Sequence, residues 1–235
     1  MVSTVIKNWD NKTWISSKNY IKSFNNFLLK QVKLNSRSKI LDIGCGRGKI
    51  LGSLNSKLRL KNKPLGIDII SHKDRDKRIK FKKINALNFF IRNQNKFDLI
   101  LIKQTIHLFN IKEIKKLLYF SKKNLKQNGK ILIFSLDIHN NEIPTFKLMN
   151  KNLTKSLKKD QRILESIMKV YPNKKNKFTY KVHISKKRYS RMIKERYIST
   201  LLKLNDQEIQ KGLDEIDFKY KKNIKFKDKL ICLSL

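Results

Sequence analysis

The stretch that most constrains this chain is Lys39-Ile-Leu-Asp-Ile-Gly-Cys-Gly-Arg-Gly-Lys-Ile50. A short apolar run, Ile40, Leu41 and Ile43, ends in Gly44-Cys45-Gly46-Arg47-Gly48 and then turns polar and helix-periodic. That order reads as strand, glycine turn and helix start, the first βα unit of a doubly wound α/β domain. Glycine lets a ligand approach the backbone closely and supplies the positive φ such turns require. The turn sits at the carboxyl end of a strand, where open α/β sheets bind ligands. A tight turn without a ligand is the alternative for this segment alone. A nucleotide-type site needs an acid at the end of the next strand to hold ribose hydroxyls. Pro64-Leu-Gly-Ile-Asp68 supplies it, and Asp42 is a further acid beside the turn.

The glycines run Gly44-x-Gly46-x-Gly48, not Gly-x-Gly-x-x-Gly as in dinucleotide oxidoreductases. Ile-Leu-Asp-Ile-Gly-Cys-Gly-Arg-Gly resembles the first motif of class I S-adenosylmethionine-dependent methyltransferases, in particular their small-molecule branch. The resemblance implies S-adenosylmethionine as cofactor. Gly44, Cys45, Gly46 and Gly48 would meet its methionine part, with Asp42 nearby. Asp68 would accept from both ribose hydroxyls, and Ile69 follows it in the cofactor site. Family members often carry an Asp at the position of Asn85 that contacts the adenine amine, and the next backbone N–H, here of Ala86, reaches a ring nitrogen. An amide oxygen can take that role, and capping the following helix is an equal alternative for Asn85.

Composition sets further bounds. The 235 residues can bury a full core, and one domain is the expected count. No stretch has transmembrane length, and Met1 to Asp10 lacks the apolar run of a signal peptide, so a cytoplasmic protein without a membrane is expected. Cys45 and Cys232 read as free thiols of a reducing compartment, and no Cys/His cluster has zinc-ligand spacing, so no metal is expected. The formal net charge of +38 raises nucleic acid as a partner. Against it, the excess lies in 46 Lys against 10 Arg, spread over every segment, and Arg is the residue preferred for bidentate phosphate recognition. The single alanine, Ala86, and the abundance of Lys, Asn and Ile fit a composition-wide skew, which favours a generally basic surface over a dedicated one.

Along the chain, Trp9 and Trp14 precede a helix with apolar positions Ile21, Phe24, Phe27, Leu28 and Val32. Residues 1–38 read as a helical flap, with Trp9 and Trp14 either packed or covering the bound cofactor or substrate, and Trp14 the candidate substrate contact. Strands are expected near 39–43, 64–68, 79–84, 96–102 and 130–134, with helices at 47–58 and 111–125. Ser71–Arg78 reads as a solvated charged connection. In the resembled family the end of the fourth strand faces the methyl group and acceptor. Here it reads Lys103-Gln-Thr-Ile-His107, so Lys103 is assigned to the cofactor and Gln104 to the substrate. His107 is the candidate general base, with a site-lining or packing role as its alternatives. The Asn/Asp-Pro-Pro-Tyr/Phe sequence of amino-methylating nucleic-acid enzymes does not occur.

The second half carries one or two helices over 145–170, a strand over 177–184, helical spacing over 186–204, a capped helix from Asn205, and a final strand over 226–235. Arg188, Arg191 and Arg196 lie close in sequence. Arg196 is a candidate clamp for a substrate carboxylate, and a surface role is its alternative. The expectation is one α/β domain over 1–235: a Rossmann-like, doubly wound, mostly parallel seven-stranded sheet with the last strand antiparallel and helical cap insertions. Within it, 39–135 would be the cofactor core and 136–235 the substrate side. The expected activity is methyl transfer to a small-molecule acceptor. The alternatives are an RNA- or ribosome-directed methyltransferase and a non-catalytic cofactor-binding protein. The sequence does not indicate an oligomeric state.

Overall fold

The computed structural model describes residues 13–235. Trp9 lies outside the described residues, as does most of the 1–38 flap ahead of its helix. Seven strands form one sheet: β1 (Ile40–Ile43), β2 (Leu65–Asp68), β3 (Lys80–Lys83), β4 (Phe97–Lys103), β5 (Leu125–Leu136), β6 (Lys174–Ser185) and β7 (Asn223–Ser234). Their order is β3-β2-β1-β4-β5-β7-β6. The pairs β1–β2, β1–β4, β2–β3 and β4–β5 are parallel. The last strand is antiparallel: Ile131 and Leu235 exchange N–H···O=C bonds in both directions, at 3.1 and 3.0 Å. Among the described residues no helix is long and apolar enough to cross a membrane.

By internal packing the described chain divides into two compact units. One comprises Ile21–Ser135, Ile163–Phe178 and Leu230–Leu235. It holds β1 to β4 and almost all of β5, with α2 (Lys49–Leu58), α3 (Ala86–Arg92) and α4 (Ile111–Lys123) between them. β1 is buried at every position and β4 at five of its seven, as parallel strands covered on both faces must be. Leu41, Ile43, Ile100, Ile102, Ile131 and Ile133 form the centre of its core. Strand order reverses between β1 and β4, which makes their carboxyl ends the switch point where such sheets bind ligands. Ile43, Ile67 and Ile102 lie abreast, so the segments after β1, β2 and β4 leave the sheet at one edge.

The other unit comprises the described residues up to Tyr20, Leu136–Arg162 and Thr179–Lys229. The helical region expected over 145–170 is one helix, α5 (Lys147–Val170), which begins here. The 186–204 region is not one helix. α6 (Lys186–Lys194) stops where Arg196 takes a left-handed φ of +51°, and only a short turn, Ser199–Leu201, follows. The break carries Tyr197 into the interior, where its hydroxyl shares a 2.8 Å hydrogen bond with that of Tyr189. α7 (Asp206–Lys219) starts with the expected cap: Asn205 and Glu208 bond each other's backbone N–H groups reciprocally.

α1 (Lys18–Gln31) runs as expected, whereas β5 starts at Leu125, five residues ahead of the strand expected from residue 130. Pairing of β5 begins at Leu125, opposite Phe97, and the register shifts before Leu99. Asn128 takes a φ of +64° within that irregularity, which asparagine tolerates better than other side chains.

Candidate active site

The glycine turn after β1 is anchored by backbone bonds from Gly44 and Cys45 N–H to the Ile67 carbonyl, at 2.9 and 3.1 Å. A third, 2.8 Å bond from Gly48 N–H to the Cys45 carbonyl closes it. Two of its glycines are required by shape. Gly44 has a φ of +72°, and a Cβ there would lie 2.3 Å from Thr105 Oγ1. Gly48 has a φ of +68°, and a Cβ there would lie 2.2 Å from Ile79 Cδ1. The turn then runs directly into α2, whose first N–H groups have no partner within the helix.

Asp68, the last residue of β2, meets this turn. Its Oδ2 accepts from Gly46 N–H at 2.8 Å, and its Oδ1 accepts from Ile70 N–H at 3.0 Å. A carboxylate has about four acceptor positions. Each oxygen therefore keeps a lone pair for a further donor, which fits a pair of ligand hydroxyls. Ile69 between these bonds is 61% exposed, an apolar surface beside the acid. Asn85 follows β3 next to Asp68, whose carbonyl accepts from Ile84 N–H. Its Oδ1 accepts from Leu87 N–H at 2.8 Å, so it caps α3, with Ala86 buried as the first helical residue. The capping alternative is what the geometry shows. The second lone pair of that oxygen remains for another donor.

Asp42 is buried in β1. Burial pushes its carboxyl up to about 7; the charge of Lys103 opposes the rise and that of Asp68 adds to it. Lys103 Nζ donates to Gln104 Oε1 at 2.7 Å and lies 5.4 Å from the centre of the Phe24 ring. Gln104 holds a left-handed φ of +51° at the strand end, a conformation that costs free energy and clusters at functional sites. Its N–H donates to the Phe134 carbonyl. Thr105 fills the space beside Gly44 and donates through Oγ1 to the Lys103 carbonyl at 3.0 Å. His107 is half-buried in the short turn Ile106–Leu108 that follows. The Cys45 thiol is pushed up, chiefly by burial, and is therefore a poor nucleophile.

The Asp42 environment sets a pH dependence. An acid that titrates at about 7 in the fold and at 3.8 when unperturbed binds more protons folded than unfolded between those values. Its contribution to stability is therefore present at low pH and declines as pH rises through this window. In Asp42→Asn the melting temperature relative to the parent is expected to rise from pH 4 to pH 7 and level off above. A flat or opposite difference would remove the buried-carboxylate account.

The sequence reading did not single out Arg47. It is buried within the glycine turn, and its Nε lies 2.8 Å from the Asp74 carboxylate. Its carbonyl accepts from Asp76 N–H. The charged stretch 71–78 is a solvated loop, exposed at five of its eight positions, that is also fastened to the turn, because a buried guanidinium needs a carboxylate partner. The one signal was an arginine within the turn and two aspartates in the following charged run.

Trp14 and Arg196 belong to the other unit. Trp14 is buried, donates from its indole N–H to Asp228 Oδ2 at 2.9 Å, and packs edge-on against Tyr197 and Phe226. The carboxylate that Arg196 meets is that of Asp206, at 2.7 Å, and it also donates to the Leu204 carbonyl. Among the described residues no His, Cys, Asp and Glu cluster has the makings of a metal site.

The strand order, the glycine turn and the acid after β2 define the Rossmann-like methyltransferase fold. The sequence profile of a family described as a methyltransferase domain matches residues 34–196, and the chain belongs to that family of class I S-adenosylmethionine-dependent enzymes. No curated protein matches it. Among solved structures, it is similar to a putative methyltransferase from an antibiotic biosynthesis pathway of Anabaena variabilis. That match has 14% identity, a TM-score of 0.56, and 90% of this chain and 96% of that one covered. It is also similar to the plantazolicin methyltransferase BpumL in complex with SAH, at 18% identity and TM-score 0.54, over 98% and 88% of the two chains. The N-methyltransferase NodS of Bradyrhizobium japonicum, also in complex with SAH, gives 11%, 0.53, 97% and 94%. At these identities the likeness is one of fold.

Proposed function

We propose that the protein transfers the methyl group of S-adenosylmethionine to a small-molecule acceptor at the carboxyl edge of β1, β2 and β4. The observation that carries this reading is the Asp68 carboxylate. Its Oδ2 accepts from the glycine turn at Gly46 N–H and its Oδ1 from Ile70 N–H, and each oxygen keeps its other lone pair for ligand hydroxyls. Gly44 and Gly48, where a side chain would collide, keep the turn compact enough for a ligand to reach its backbone. Asp42 adds a buried carboxyl, Lys103 a cation and Ile69 an apolar surface at the same edge.

The cofactor, when bound, supplies an electrophilic methyl group on sulfur. The chain's part is to hold and align the reactants and exclude water. Where the acceptor carries a proton, a ring nitrogen of His107 takes it. Proteins of similar fold support a small acceptor: the plantazolicin methyltransferase BpumL has been solved in complex with a pentazolic desmethylPZN analogue and SAH. Lys103-Gln-Thr-Ile-His107 at the strand end, with no Asn-Pro-Pro-Tyr type sequence, supports the same choice over a base amine.

Calorimetry with S-adenosylmethionine and then S-adenosylhomocysteine is expected to give micromolar binding of both. No binding by folded protein would overturn the enzymatic reading. With an acceptor that turns over, His107→Ala is expected to lower kcat by about 10²–10⁴-fold with cofactor affinity unchanged. An unchanged kcat would remove His107 as the base.

A further inference from the structure

In the unit that contains Trp14, β6 and β7 alternate strictly along part of their length. Val182 and Ile184 of β6, and Ile224, Phe226 and Asp228 of β7, are buried. The intervening residues, Thr179, Lys181, His183 and Ser185 on one strand and Asn223, Lys225 and Lys227 on the other, are exposed. Because the side-chain period of a strand is two, each strand turns this second set away from the core. A hydrogen bond of 2.9 Å from Lys186 N–H to the Lys222 carbonyl ties the ends of the two strands together.

The outward side chains of these two stretches carry positive charge only. Asp228, the only acid in Thr179–Ser185 and Asn223–Lys229, lies on the buried side with its Oδ2 bonded to Trp14. Glu142 approaches from outside these stretches. It ion-pairs with the Lys229 ammonium and accepts from the Lys227 backbone N–H, and the Lys227 charge also acts on it without forming an ion pair. Likewise Lys186 is paired with Asp217. The ammonium groups of Lys181, Lys225 and Lys227 form no ion pair among the described residues. Between them stand Thr179, His183, Ser185 and Asn223, all able to donate hydrogen bonds and none able to insert into hydrocarbon.

We propose that this sheet face, built on Lys181, Lys225 and Lys227 with His183, docks the sugar–phosphate backbone of a nucleic acid strand. Lysines contact phosphates without reading sequence, and the neighbouring hydroxyl, amide and imidazole groups serve phosphate and sugar oxygens. An anionic membrane is the poorer match, because surface-bound elements need exposed apolar residues beside their cations, and this face has none. The proposal does not depend on methyl transfer and makes no claim about the acceptor.

The experiment measures binding of a fluorescent 20-residue oligouridine across a salt series. The parent is expected to bind with a log–log salt slope of about −2 to −3, the release expected for three or four single-strand phosphates. The triple variant Lys181→Glu/Lys225→Glu/Lys227→Glu is expected to lose at least about thirtyfold in affinity and most of that slope. A control triple, Lys112→Glu/Lys115→Glu/Lys116→Glu on exposed positions of α4, changes net charge equally and is expected to lose less than about threefold. Cofactor binding and melting temperature report that the variants fold. If the sheet triple does not fold, Lys181→Ser/Lys225→Ser/Lys227→Ser takes its place with the same direction of effect. Equal losses in both triples would show that net charge alone acts and would overturn the proposal, as would absence of binding by the parent. Vesicles of anionic lipid bound more tightly than the oligouridine, and lost in the sheet triple, would overturn it in favour of a membrane.

Discussion

Alanine in place of Asp68 is expected to lower the affinity for S-adenosylmethionine by a hundredfold or more while the protein stays folded. The carboxylate acts at two levels. It holds Gly46 N–H at 2.8 Å and Ile70 N–H at 3.0 Å, which fixes the turn against the end of β2. Its remaining lone pairs are the proposed acceptors for the ribose hydroxyls. Hydrogen bonds to a charged group contribute about 1.5–3 kcal/mol each, and about 2.7 kcal/mol is already a hundredfold in affinity. Asp68→Asn keeps one carbonyl acceptor and removes the charge, so its loss should be smaller than that of alanine. A cofactor analogue lacking one ribose hydroxyl should bind the parent more weakly than the natural cofactor does. In Asp68→Ala it should lose little further, because the partner is already gone. Calorimetry on the four combinations reads this directly. Unchanged affinity in a folded Asp68→Ala protein would take Asp68 out of the site.

Gly44→Ala is expected to abolish measurable cofactor binding and to lower the melting temperature. Two costs combine. The left-handed conformation costs a non-glycine residue about 1–2 kcal/mol, and Gly44 has a φ of +72°. The new methyl group would also stand 2.3 Å from Thr105 Oγ1 and 2.4 Å from its Cγ2, well inside contact distance. Thr105 is itself held by its bond to the Lys103 carbonyl, so the turn after β1 must move instead. The double variant Gly44→Ala/Thr105→Gly removes the collision and keeps the dihedral strain. Measured against the single Thr105→Gly variant, alanine at 44 should then cost less than it does in the parent, and the remaining loss reports the conformational cost. An equal cost of alanine at 44 in both backgrounds would show that the collision is not the source.

The two variants probe parts of the site that differ in how openly the sequence shows them. The turn and the acid are local signals. Apolar runs, glycines and an acid at the end of the next run mark strand ends without knowledge of the rest of the chain. The same holds for the Asn205–Glu208 cap, where both partners lie within one helical turn. Asn85 shows the limit of local reading. Its residue type suits an adenine contact and a helix cap equally, and only the placement of Leu87 N–H shows that the cap is made.

Other features rest on pairs distant in sequence. The Arg47–Asp74 bridge ties the solvated stretch 71–78 to the glycine turn. Trp14 meets Asp228 across most of the chain length. Arg196 reads as a candidate clamp for a substrate carboxylate, yet it interrupts a helical pattern and closes on Asp206.

The sequence alone determined the class of fold, the positions of β1 to β4 and the glycine turn with its acid. These follow from side-chain periodicity and backbone permissiveness, which act over a few residues. Only the tertiary structure decided how the acid's lone pairs are shared, which cap Asn85 makes, that Asp42 is buried beside Lys103, and which lysines share one sheet face. Those depend on which distant groups are brought together away from water, and desolvation and register are properties of the packed chain.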